Sequence, residues 1–87
     1  MTIQQIVGAN IRFYRFQVGW SQEKLAVRST LSSNYVSALE RGTVNISIHN
    51  LEKIARALKV EPGVLLIKEA SALPKEVMQA LHRSVQS

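Results

Sequence analysis

Apolar residues recur along the chain at steps of three and four, the spacing of helices that bury one face. Ile3, Ile6/Val7, Asn10/Ile11, Tyr14 and Val18 form one such stripe over about four turns. Gly19 ends it, as glycine does beyond a helix C-terminus. Ser21 stands where an N-cap belongs, and Glu23 falls in the first turn, where a carboxylate meets the positive end of the helix dipole. This second helix is short, from Gln22 to about Arg28. Ser29-Thr30-Leu31 make a break, and Ser32 can cap a third helix that runs to Arg41 and stops at Gly42. Residues 43–46 read as a loop. Ser47 then caps a fourth helix with Ile48, Leu51, Ile54/Ala55 and Leu58 along one face. Pro62 suits the first turn of a fifth, containing Val64-Leu65-Leu66. A sixth begins around residues 71–74 and carries Val77, Leu81 and Val85 on one side. Nothing alternates with period two for long enough to make a strand, so the expectation is an all-α, compact five-to-six-helix domain.

Composition narrows the function. A chain of 87 residues supports one small domain, and its 46% hydrophobic content is too high for a disordered basic tail. Cysteine is absent, which excludes disulfide frameworks and cysteine-based zinc sites. All six acids are glutamate, which removes Ser-His-Asp triads, EF-hand loops and the usual magnesium-binding aspartates. The four glycines are too scattered to cradle a phosphate, and His49 and His82 have no ligand spacing between them. An enzyme, a cofactor, a metal and a small-molecule ligand are therefore not expected. No apolar run is long enough to span a membrane, and Met1-Thr2-Ile3-Gln4-Gln5 lacks a signal-peptide pattern, so a cytoplasmic address is expected.

The position of the charge adds more than its sum of +5. Residues 12–59 hold eight basic side chains against three acids, which is the whole excess, while the chain from Val60 onward is neutral. A basic segment beside a neutral one suggests polyanion contact in the first and packing or self-association in the second.

Within the basic segment, two short helices joined by a three- or four-residue turn make a helix-turn-helix unit, whose second helix can enter the major groove. Ala26 supplies the small residue where the helices cross, and Leu25, Leu31, Val36 and Leu39 point into a shared core. Ser32, Ser33, Asn34, Ser37, Ala38 and Arg41 are left for the outside, small, polar or basic as contact with base edges and phosphates requires. Asparagine can pair bidentately with adenine, which singles out Asn34. Arg12 is a candidate phosphate contact. Tyr35 is either core filler or a phosphate contact, Trp20 is a packing residue, and Lys24 and Arg28 suit a solvated face. Arg15, an arginine in an apolar helical stretch, needs a buried partner.

Three ordered motifs, Ser21-Gln22-Glu23-Lys24-Leu25-Ala26, Tyr35-Val36-Ser37-Ala38-Leu39-Glu40-Arg41-Gly42 and Leu51-Glu52-Lys53-Ile54-Ala55-Arg56-Ala57-Leu58, resemble the phage-repressor/Cro class of helix-turn-helix DNA-binding proteins. The resemblance covers about residues 6–67 and implies a lambda-repressor-like domain. The short length and the run from Glu40 to Ser47 are similar, within that class, to the controller proteins of restriction–modification systems. The resemblance implies that 32–41 is the recognition helix, with Ser33, Asn34, Ser37 and Ala38 as base-reading positions. Gln22 is implied to anchor on a phosphate or to brace that helix. Arg41, Thr43 and Asn45 match phosphate contacts, and Arg15 and Glu40 match an internal ion pair. Members usually carry glycine in the turn where this chain has Thr30, so the turn either keeps negative φ or stores strain.

The expected organisation is a DNA-binding domain over residues 1–69 and a C-terminal helix over residues 70–87 that serves packing or dimerisation. A single short recognition helix reads too few base pairs for specificity, and two copies on a two-fold axis reach half-sites about 34 Å apart. Val64, Leu65, Leu66, Val77 and Leu81 are the candidates for a symmetric interface. The expected partners are a double-stranded DNA operator and a second copy of the chain, with transcriptional control as the outcome. The alternative is a protein-interaction module, an antitoxin or adaptor subunit using the same fold.

Overall fold

The computed structural model describes residues 1–68. They form α1 (Ile3–Gln17), α2 (Gln22–Ser29), α3 (Ser33–Arg41), α4 (Ile48–Leu58) and a 3-10 turn (Pro62–Leu66), with no strand among the described residues. The described part thus has four α-helices where five or six were expected. Residues 62–66 close i→i+3 bonds instead of α-helical ones, with the Val64 N–H donating to the Glu61 carbonyl at 3.0 Å and the Ile67 N–H to the Val64 carbonyl at 3.3 Å. The sixth expected helix, with Val77 and Leu81, lies outside the described residues, as does the proposed 70–87 segment.

The helix starts are fixed by side chains. The hydroxyls of Ser21, Ser32 and Ser47 accept from the backbone N–H of Lys24, Tyr35 and Asn50 at 3.1, 3.1 and 3.0 Å. Each such cap stabilises its helix by about 1 kcal/mol. Thr2 does the same for α1, in a capping box with Gln5. Three helix ends are left-handed: Thr30 after α2 (φ 58°), Gly42 after α3 (φ 72°) and Lys59 after α4 (φ 59°). Glycine enters that region freely, whereas a β-branched residue is strained there. The turn at Thr30 therefore stores strain, and its hydroxyl donates to the neighbouring Ser29 carbonyl at 2.6 Å.

Ile11, Tyr14, Leu25, Val36, Ile54, Ala55, Leu58 and Leu65 meet in one core to which every element contributes. Close approach of α1 to α3 depends on Gly8: a Cβ there would overlap the Leu39 carbonyl oxygen and lie 2.9 Å from that of Glu40. The buried Asn10 side chain donates to the carbonyls of Leu65 (2.8 Å) and Ile67 (2.9 Å), tying the 3-10 turn to α1.

The stripes end sooner than the periodicity implies. Ile3 and Val18 are exposed, and Ile48, at the first position of α4, is 87% exposed. Each sits at a helix end, beyond the reach of the core. Val64 and Leu65 require a correction of the opposite kind. Both are buried in the chain's own core, so neither has surface to offer a second copy. Leu66 and Ile67 beside them are exposed.

Candidate nucleic-acid interface

The nine residues of α3 divide by angle. Val36 and Leu39, three apart, are buried against α1 and α2. Asn34, Ser37, Ala38 and Arg41 follow the i, i+3, i+4, i+7 pattern of a single stripe on another side, with Ser33 one turn before Ser37. Asn34 and Arg41 are exposed, and Ser33, Ser37 and Ala38 are half-buried. Arg41 donates to the Ser37 hydroxyl, which lays the guanidinium along the stripe. The N-terminal end of the helix thus presents short side chains that let its backbone approach a groove floor closely.

The helix is locked from behind. Arg15 Nε donates to Glu40 Oε2 at 2.7 Å and Nη2 to Glu40 Oε1 at 2.9 Å, a bidentate pair. Arg15 Nη1 donates to the Trp20 carbonyl at 2.8 Å, and Gln22 Nε2 donates to Glu40 Oε1 at 3.0 Å. Both partners of the ion pair are almost wholly buried. The Glu40 carboxylate holds the Arg15 guanidinium above its ordinary pKa, although burial alone would lower it. Gln22 is thereby engaged in bracing α3 from the start of α2. Of the two roles the resemblance implied, the brace has a geometry in the protein itself.

The loop after α3 is held by three helices. Thr43 Oγ1 donates to the Ala38 carbonyl at 3.2 Å. The Tyr35 hydroxyl donates to the Asn45 carbonyl at 3.4 Å and accepts from Asn50 Nδ2 at 3.2 Å. Tyr35 is half-buried, and its hydroxyl lies between the Asn45 carbonyl and the Asn50 amide. Gln4 of α1 donates to Asn45 Oδ1 at 2.6 Å. Thr43 and Asn45 remain exposed beside the C-terminal end of α3. Arg12 lies exposed on α1, its guanidinium carbon 5.5 Å from the centre of the Phe16 ring.

The positive charge is spread more widely than its place in the sequence implied. Arg28, Lys53, Arg56 and Lys59 line an open cleft of about 520 Å³ with Trp20 and Thr30, at the C-terminal ends of α2 and α4. Arg28 stacks over Trp20 at 5.7 Å, and Arg56 pairs loosely with Glu52 at 3.8 Å. Only Arg41 carries charge on the outward stripe of α3 itself.

Sequence reasoning missed Gly8, Asn10, Gln4 and Asn50. Each acts on a residue far along the chain, as Gln4 does on Asn45 across 41 positions, so no local pattern marks it. Among the described residues no group of three or more His, Cys, Asp or Glu could hold a metal ion, and no helix is long and apolar enough to cross a membrane.

Comparison with known proteins agrees with this geometry. The helix-turn-helix family matches residues 11–65. The control protein C.BamHI of Bacillus amyloliquefaciens is 45% identical over 65 residues, 74% of this chain and 80% of that protein. A hypothetical transcription factor of Neisseria meningitidis serogroup B is 43% identical over 65 residues, 75% of this chain but 61% of the relative's length. The crystal structure of the restriction–modification controller protein C.AhdI from Aeromonas hydrophila superimposes with a TM-score of 0.70 at 42% identity, covering 71% of this chain and 94% of that one. Residues, geometry and relatives converge: the chain belongs to the helix-turn-helix family of DNA-binding transcription regulators and controller proteins.

Proposed function

We propose that the protein is a sequence-specific double-stranded DNA-binding regulator of transcription, acting as a homodimer with α3 in the major groove. The observation that carries this reading is the division of α3. One side is fixed by Val36, Leu39 and the Arg15–Glu40 pair, and the other offers Ser33, Asn34, Ser37 and Ala38 outward. A rigid helix with short polar side chains outward is what direct reading of base edges requires. Asn34 is the principal base-reading residue, and Arg41, Thr43 and Asn45, at and beyond the C-terminal end of α3, contact phosphates. Gln22 positions α3, with Arg12 supplying longer-range attraction to the backbone.

Dimerisation supplies the specificity that one short helix lacks, by spacing two copies of α3 about one helical turn, roughly 34 Å, apart. Leu66 and Ile67 are the exposed apolar residues nearest the end of the described chain, and the interface is proposed to include them with Val77 and Leu81. The similarity to C.BamHI and C.AhdI favours a restriction–modification controller protein.

The test is selection of genomic fragments with the purified protein, followed by titration of the selected duplex at several salt concentrations. A palindromic site is expected, bound with a log–log salt slope of several units. No preference over random duplex at about 150 mM salt would contradict the proposal.

A further inference from the structure

We infer that Gln4, in the first turn of α1, is a positioning residue for DNA binding: it orients the Asn45 amide so that its donor end faces the phosphate. The inference rests on the reading of Asn45 as a phosphate contact. Gln4 Nε2 donates to Asn45 Oδ1 at 2.6 Å. In a planar amide the oxygen and nitrogen diverge from one carbon, so an oxygen turned toward Gln4 leaves Nδ2 turned away with both of its hydrogens. A phosphate oxygen can only accept hydrogen bonds. The orientation set by Gln4 is thus the one a contact needs, and the reversed amide would direct lone pairs at the anion.

The surroundings make that orientation rigid. The Asn45 main chain is held from α3 through the Tyr35 hydroxyl, which Asn50 of α4 holds in turn at 3.2 Å. Gly42, at the start of the loop, lies so close to α1 that a Cβ there would come within 2.9 Å of the Gln5 Cα. The α1 turn that carries Gln4 is itself pinned by the capping box: Thr2 Oγ1 accepts from the Gln5 N–H at 3.2 Å, and Gln5 Oε1 accepts from the Thr2 N–H at 2.9 Å. The Asn45 carbonyl and its side-chain amide are thus each engaged from a neighbouring helix, and the bond to the amide comes from Gln4.

The experiment is a double-mutant cycle on the full chain, with operator affinity and melting temperature measured for the parent, Gln4→Met, Asn45→Ala and the double variant. Gln4→Met keeps the side-chain length and loses the donor. It should weaken binding roughly three- to tenfold on operator and random duplex alike, with the melting temperature unchanged. Asn45→Ala should weaken binding roughly tenfold or more, and the double variant should be no weaker than Asn45→Ala within about a factor of two. An undiminished Gln4→Met loss in the Asn45→Ala background overturns the inference, because Gln4 then acts on its own. Full affinity in Gln4→Met, or in Asn45→Ala, overturns it as well. In all three outcomes the DNA-binding reading stands while the parent prefers its operator; a parent with no preference overturns both.

Discussion

The two sides of α3 are built from opposite chemistry within nine residues. The inner side has Val36 and Leu39 buried and Glu40 bonded by Arg15 and Gln22, so its geometry is determined by many partners. The outer side has Asn34 exposed and no long-range hydrogen bond from Ser33, Asn34 or Ser37 among those described. Rigidity and readiness to bind are thus separated by angle around one helix. A side chain whose donors are already satisfied cannot read a base, and a helix without internal anchors cannot hold its side chains at a fixed position over one. The difference implies that inner-side substitutions act on stability first and DNA second, and outer-side substitutions act on DNA alone.

The largest expected effect breaks the inner side. Arg15→Ala leaves Glu40 buried with Gln22 as its remaining side-chain partner, and breaking a buried pair in this way costs about 3–5 kcal/mol. The melting temperature should fall steeply, with operator affinity lost alongside it; an unchanged melting temperature would refute the role given to the pair. The smallest effect concerns the strained turn that leads into α3. Thr30→Gly relieves the left-handed β-branched residue and gives back part of that gain as chain entropy, for a net stabilisation of up to about 1 kcal/mol. The melting temperature should rise by a few degrees without a change in base preference. A drop would show that the Thr30 side chain contributes more than its strain costs.

What was legible in the sequence is what is decided locally. Ser21, Ser32 and Ser47 each cap a helix through an N–H three residues on, and Gly42 ends α3 in the left-handed region, so the order of helices could be read from neighbours alone. The outward set Ser33, Asn34, Ser37 and Ala38 followed from helical angle once Val36 and Leu39 were placed inside. Other features depend on where the chain returns. Periodicity marks Ile48 and Leu51 as equals, yet the core reaches only Leu51. Apolar character alone does not separate a residue that fills its own core from one that meets a partner, so it marks Val64 and Leu65 for an interface although both are buried. The contact between Gly8 and the α3 carbonyls, and the hold of Asn10 on the 3-10 turn, join distant positions that carry no spacing signal. Net charge also gives only part of the picture: four of the cations line the cleft beside Trp20, and on the outward stripe of α3 Arg41 alone is charged.

The separation of the two sides is tested most directly by Asn34→Ala, with binding measured on a library of operator variants and stability measured on the same preparation. The expected result is an unchanged melting temperature, a loss of about 1–3 kcal/mol on the operator, and preference relaxed at one base position in each half-site. An equal loss on every sequence, or a variant that reads the operator as well as the parent, would contradict it.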